Sequence, residues 1–134
     1  MTLTEVVEDV AAAVLALGFR RSESVFSVEQ VPDSVQHLAF LLFTPRITGR
    51  PVSGAIEWAG TMLELRVAYL VGVAGEAALL SNRVMPDVHA IFLALLAKTY
   101  LGAGEWLCEL QPDADAQCAV MSLQIPLDFC EPTP

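Results

Sequence analysis

The sequence predicts a single α+β domain over residues 1–134, with two main helices packed on one face of a mostly antiparallel sheet. Two segments place apolar residues at helical spacing, and the others alternate apolar and polar residues as strands do. The predicted order is α-β-β-β-α-β-β, and consecutive strands between helices favour an antiparallel sheet. A length of 134 residues suits one domain.

The first helix is predicted from about residue 3 to residue 17. Thr2 and Glu5 have the spacing of a capping box, in which each side chain bonds the other residue's backbone N–H. Gly18 follows as a left-handed stop. The apolar residues at helical spacing are Val7, Val10, Val14 and Leu17.

Two strands and a loop are predicted next. Residues 25–31 alternate and end at a Pro-Asp-Ser turn, and residues 36–44 are rich in apolar and aromatic side chains. The two are expected to pair as a hairpin. Residues 45–54 hold two prolines, two glycines and two arginines, which predicts a loop without regular structure. Long loops of this kind tend to be functional or mobile.

The third strand candidate, residues 55–71, exceeds the usual ~5–6 residues. It is therefore expected either to bend or to project past the sheet as an arm. Trp58 and Gly60 lie in its first half, where a bulge or bend is expected. Leu63, Leu65, Val67, Tyr69 and Val71 form one face of the strand.

The second helical region is predicted from about residue 76 to residue 99, ahead of a Gly-Ala-Gly breaker. Pro86 lies inside it and predicts a kink or two consecutive helices, because proline lacks a donor and clashes with the preceding turn. The apolar stripe of this region is Leu80, Val84, Val88, Ile91 and Leu95.

A C-terminal hairpin is predicted from residues 106–110 and 117–129, which flank a Pro-Asp-Ala-Asp turn. With the turn centred between residues 113 and 114, Cys108 pairs with Ala119 and Trp106 pairs with Met121. This register sends Cys108 inward and Cys118 outward. A one-residue slip would bring the two thiols opposite each other but would mix the faces, so burial disfavours a disulfide between them.

Charge and composition exclude several classes of function. Seven basic and 16 acidic residues give a net charge of −9, and the basic residues are scattered, which disfavours sequence-specific or tight nucleic-acid binding. The uncharged run at residues 10–19 is too short for the ~20 residues that a membrane helix needs. The acidic N-terminus is untypical of a secretory signal. Three cysteines, an odd count, indicate reduced thiols in a cytosol.

No catalytic, cofactor-binding or metal-binding motif is recognisable, so the chain is expected to act through contacts and without a cofactor rather than as an enzyme. His37 and His89 are conceivable bases, but neither has a Ser or Cys nucleophile in a motif around it, which favours a structural or surface role. The apolar fraction of 54% is above average. This surplus indicates either a subunit interface or an alanine-rich core.

The order of elements and three segments, TMLELRVAYL, NRVMPDVHAI and DADAQCAVMSLQIPLDF, resemble the tail terminator (minor tail protein) family of long-tailed bacteriophages and prophages. The resemblance implies a non-enzymatic subunit that closes into a homo-oligomeric ring, commonly a hexamer. Such a ring caps the tail tube and meets the head-tail connector. The implied location is the host cytoplasm during assembly and then the virion tail.

Arg46, Arg50 and Trp58 are candidate oligomer-interface residues, because the loop and the front of the long strand can reach a neighbour. If the two arginines bridge subunits, replacing both with glutamate should dissociate the oligomer without changing the far-UV circular dichroism. The alternative is a different class of protein. The length, acidity and element order also resemble dimeric chaperones of type III secretion, which hold an unfolded effector segment on apolar patches.

Overall fold

The computed structural model describes residues 1–22, 37–72, 75–112 and 118–134. Its helical segments are α1 (Leu3–Ala16), α2 (Gly75–Leu79), a π-helical turn (Leu80–Val84) and α3 (Met85–Leu95). Its strands are β1 (Arg20–Arg21), β2 (Ala39–Arg46), β3 (Arg50–Val52), β4 (Ala55–Glu57), β5 (Thr61–Leu70), β6 (Leu107–Pro112), β7 (Cys118–Leu127) and β8 (Cys130–Pro132). The predicted α+β class is confirmed.

Helix α1 begins and ends as the sequence predicts. The Thr2 hydroxyl accepts a hydrogen bond from the Glu5 backbone N–H at 3.1 Å, and the Glu5 carboxylate accepts one from the Thr2 N–H at 3.4 Å. Gly18 adopts a φ of 100°, the left-handed conformation expected of a helix stop. Val6, Val10 and Val14 form the buried face.

Replacing Thr2 with alanine should lower the free energy of unfolding by about 1 kcal/mol, because the Glu5 N–H loses its acceptor. Thr4→Ala is the matched control. Thr4 is exposed inside the same helix, so its loss should have little effect on stability. Urea unfolding followed by circular dichroism measures both, and equal midpoints for the two variants would contradict a capping role.

A five-stranded sheet carries the fold, in the order β1-β2-β5-β7-β6. β5 and β7 form its centre through ten antiparallel residue pairs, from Thr61 opposite Leu127 to Leu70 opposite Cys118. β1 pairs with β2 in parallel, and the other described pairs are antiparallel. The predicted strand at 25–31 lies outside the described residues. Within them, β2 pairs with β1 and β5.

Both main helices bury their apolar faces on one side of this sheet, as predicted. The core contributed by the sheet on that side includes Phe40, Leu65, Val67, Met121 and Leu123. A second, small buried cluster lies on the opposite face and consists of Ala39, Ala68, Cys118 and Val120. Small side chains therefore cluster at one end of the face that is turned away from α1 and α3, where β2 and β7 begin and β5 ends.

The prediction of a loop without regular structure at residues 45–54 is wrong in part, because this segment contains strand residues. β2 continues to Arg46, and β3 pairs with β4, which pairs in turn with β8 to form a three-stranded sheet. The expected bend of the long strand is confirmed. The chain turns between β4 and β5, with Gly60 at a φ of 78°, so one predicted strand divides between two sheets.

The predicted register of the C-terminal hairpin is wrong by four residues along β7. Cys108 lies opposite Leu123, and Pro112 lies opposite Ala119. Because the shift is even, every side chain keeps its predicted face. Cys108 nevertheless is exposed, and Cys118, expected to point outward, is buried on the opposite face. All three cysteines are thiols.

The second helical region is shorter than predicted and ends at Leu95. Pro86 stands in the first turn of α3, directly after the π-helical turn. In a π-helical turn the backbone hydrogen bonds span five residues instead of the four of an α-helix. The α-helical hydrogen bonding is therefore already interrupted just before Pro86, which has no backbone N–H to donate. The kink at Pro86 stays a prediction. No helix within the described ranges combines the length and the apolar character needed to cross a membrane.

Candidate interaction groove

An open groove of about 1020 Å³ lies between the second helical region and β6, the edge strand of the described sheet. One wall comes from the helix and the other from β6 and the segment before it. Met85, Phe92 and Leu96 represent the helix wall, and Leu101, Trp106 and Cys108 represent the opposite wall. Val84 and Leu123, both buried, also line it, so the groove reaches down to the core.

The sequence of α3 explains why this wall is apolar. Ile91 and Leu95 point into the core and are fully buried. Met85 and Leu96 are each 59% exposed, and Leu93 is 56% exposed. The helix is therefore apolar on both sides, whereas a surface helix usually has one apolar and one polar face. Burying large apolar side chains is favourable, so this outer side is suited to covering by another chain.

An aromatic contact joins the two walls, and a glycine contact fastens one of them to the sheet. The rings of Phe92 and Trp106 meet edge to face, with centroids 4.9 Å apart. The Gly102 N–H donates to the Pro126 carbonyl at 2.9 Å. A Cβ atom at Gly102 would lie 3.3 Å from the Pro126 Cβ, so glycine permits this close approach. The wall beside β6 is thereby fastened to the end of β7.

The charged residues of the groove are unequally compensated. Lys98 lies 3.0 Å from the Asp9 carboxylate, which also accepts a 2.6 Å hydrogen bond from the Tyr100 hydroxyl. The Tyr100 bond first, and Lys98 second, lower the pKa of Asp9. Glu105 is exposed, and no ion pair within 4.0 Å joins it to a basic group in the described part of the chain. Among the described residues, the groove mouth therefore carries an uncompensated negative charge at Glu105.

Native protein in dilute solution should react with thiol reagents at Cys108 and Cys130 but not at Cys118. Cys108 and Cys130 are exposed and Cys118 is buried. Partial burial, and secondly Glu109, raise the pKa of Cys108, so its thiol should react slowly at neutral pH. Maleimide labelling followed by peptide mass spectrometry measures each site. Labelling of Cys118 at the rate of Cys130, without denaturant, would contradict this packing.

The predicted interface residues lie outside the groove lining. The Arg46 guanidinium is exposed and donates to the Gly60 carbonyl at 3.3 Å. Arg50 pairs across β3 and β4 with Glu57 at 2.7 Å. Trp58 is half-buried against Gly49, where an added Cβ would lie 2.7 Å from the indole ring. Its Nε1 is buried without an acceptor in the described ranges.

The two histidines occupy different environments. His37 Nδ1 accepts a hydrogen bond from the Leu70 N–H at 3.2 Å, and burial, followed by the charges of Arg83 and Arg20, lowers the pKa of His37. That arrangement matches the structural role favoured by the sequence. His89 is exposed and lines the groove. Among the described residues, no group of three or more His, Cys, Asp or Glu side chains is placed to hold a metal ion.

The groove itself was not predicted from the sequence. The sequence feature that could have indicated it is the segment 85–96, MPDVHAIFLALL, in which apolar residues lie on both sides of a helix. The sequence matches no model of a known protein family. No curated protein is significantly similar to it. The geometry of the groove is therefore the basis of the function proposed next.

Proposed function

We propose that this protein is a non-enzymatic, self-assembling subunit whose copies form a ring, with six as the expected number, that terminates the tail tube of a phage or prophage. The observation that carries the proposal is the apolar outer side of α3, with Met85, Leu93 and Leu96 each more than half exposed beside the groove. Burying such side chains contributes about 1.5–3 kcal/mol each. A second protein surface is a natural cover for them.

The proposed partners and location follow from the same assembly. Besides other copies of the chain, the ring would contact the tail tube and the head-tail connector. It would assemble in the host cytoplasm and remain in the virion tail. The net charge of −9 supports a ring through which DNA passes, because an acidic lumen repels the phosphate backbone.

Native mass at several concentrations tests the proposal. Light scattering coupled to size exclusion should show about 86 kDa for a hexamer of the 14.4 kDa chain, or a shift toward that mass as concentration rises. Negative-stain electron microscopy of the same fractions should show closed rings. A chain that stays monomeric at every concentration would contradict self-assembly.

The second candidate function is a dimeric chaperone of the type III secretion kind. It is favoured by the position of β6 beside the groove, at the edge of the sheet that the described residues form, since an extended partner segment can add to a sheet edge and place side chains in an adjacent pocket. A constant mass of about 29 kDa for two 14.4 kDa chains at all concentrations would favour this candidate and exclude the hexamer.

A further inference from the structure

A second exposed apolar group stands at the turn between β2 and β3. Ile47 is 55% exposed there, directly after Arg46. The turn is held in place by Thr61, which is fully buried. The Thr61 hydroxyl accepts from the Thr48 N–H and donates to the Thr48 carbonyl, both at 3.0 Å. Ile47 is thus presented on a preorganised turn, which lowers the entropy lost on binding.

The turn and the groove lie toward opposite edges of the same sheet. In the order β1-β2-β5-β7-β6, β2 and β6 are three strand spacings apart, about 14 Å. β1 pairs only with Ala39 and Phe40, so the half of β2 that leads to the turn is an edge of the described sheet. Two different surfaces toward opposite edges suit a head-to-tail contact, which generates rings when the rotation closes.

The charges of the two surfaces are complementary. Five of the seven basic residues form ion pairs within the chain: Arg21, Arg50, Arg66, Arg83 and Lys98. Arg46 is exposed, and its guanidinium has no carboxylate within 4.0 Å among the described residues. At the groove mouth, Glu105 likewise lacks a basic partner in those ranges. The exposed cation Arg46 beside the exposed apolar side chain of Ile47 is therefore complementary to the exposed anion Glu105 beside the apolar groove.

We infer that the groove of each copy receives the β2–β3 turn of the next copy, with Ile47 in the groove and Arg46 facing Glu105. This inference rests on the proposed self-assembly and specifies its contact. It keeps Arg46 as an interface residue. Arg50 instead has a partner in its own chain, so Arg46→Glu is a cleaner test than the double replacement.

Complementation between two variants tests the inference. The turn variant, Ile47→Asp, keeps an intact groove, and the groove variant, Leu96→Asp, keeps an intact turn. Each alone should be a monomer. Because one intact contact remains between them, an equimolar mixture should form a heterodimer of about 29 kDa from 14.4 kDa chains and nothing larger. Leu15→Asp, at an exposed apolar site on α1, is the control that should still assemble.

The outcomes separate this inference from the proposed function. If wild type assembles but the turn variant assembles equally well, the turn is not the occupant and only the inference fails. A groove-to-groove contact would give that result. If both variants are folded monomers whose mixture stays monomeric, the inference also fails. A wild type that never assembles overturns the proposed function and the inference together. Circular dichroism and thermal midpoints of each variant establish that it is folded.

Charge reversal supplies a second measurement. Arg46→Glu or Glu105→Arg should each weaken self-association by about five-fold, the upper range for exposed ion pairs. The chain that carries both substitutions should regain near-wild-type affinity, because each contact again joins groups of opposite sign, with the polarity exchanged. Two single effects that simply multiply in the double variant would overturn the pairing.

Discussion

Replacing Ile91 with alanine should lower the free energy of unfolding by about 2–5 kcal/mol, because it empties a fully buried site. Ile91 is 0% exposed and packs in the core between α3 and the sheet. Leu93→Ala, two residues further along the same helix, is the matched comparison. Leu93 is exposed, so its truncation should change stability of the monomer little.

Chemical denaturation of both variants, under conditions in which the protein is monomeric, measures the difference. We expect a lower midpoint with an unchanged denaturant slope for Ile91→Ala. Leu93→Ala should leave the midpoint near that of wild type. A loss of more than about 2 kcal/mol for Leu93→Ala would show that the Leu93 side chain is buried in the monomer. That result would contradict its exposure on the outer side of α3.

Replacing Asp87 with alanine should be more damaging than replacing its partner Tyr69 with phenylalanine. The fully buried Tyr69 donates its hydroxyl proton to the Asp87 carboxylate at 2.8 Å. Burial, and secondly Asp87, hold the pKa of Tyr69 far above its usual value, so the hydroxyl stays protonated and needs an acceptor. Asp87→Ala leaves it without one, which costs about 1–3 kcal/mol.

Tyr69→Phe should cost less, about 1 kcal/mol, because Asp87 keeps its 3.2 Å ion pair with Arg83. Asp87→Asn, which retains an acceptor, should lie closer to wild type than Asp87→Ala. In Tyr69→Phe combined with Asp87→Ala, no hydroxyl is orphaned, so the double variant should lose less than the sum of the singles. Strict additivity, measured by thermal or urea unfolding, would contradict the coupling.

Together these variants separate the two uses of one helix. Its inner side, with Ile91 and Asp87, ties α3 to the sheet, whereas its outer side, with Leu93 and Leu96, lines or borders the groove. Substitutions at Ile91 and Asp87 should therefore lower the free energy of unfolding. Substitutions at Leu93 and Leu96 should instead weaken self-association.

Local chemistry in the sequence was enough to predict several elements. The capping box of Thr2 and Glu5 and the glycine at 18 define α1 within a few neighbouring residues. Alternation over 61–70 and 118–127 predicts which side of each strand meets the helices, since the side-chain period of a strand is two residues. The bend near Gly60 follows from glycine's freedom at positive φ.

Contacts between distant residues decided the rest. β3 and β4 form a sheet with β8, which pairs Ala55 with Pro132, and no local pattern in residues 45–54 indicates that partner. The hairpin register depends on which residues fill the core, and a shift of four preserves the alternation that the sequence displays. The groove is formed jointly by the second helical region, β6 and the segment before β6. Periodicity shows that a side chain is apolar, but only the packing of helix, sheet and connecting segment determines whether it is covered.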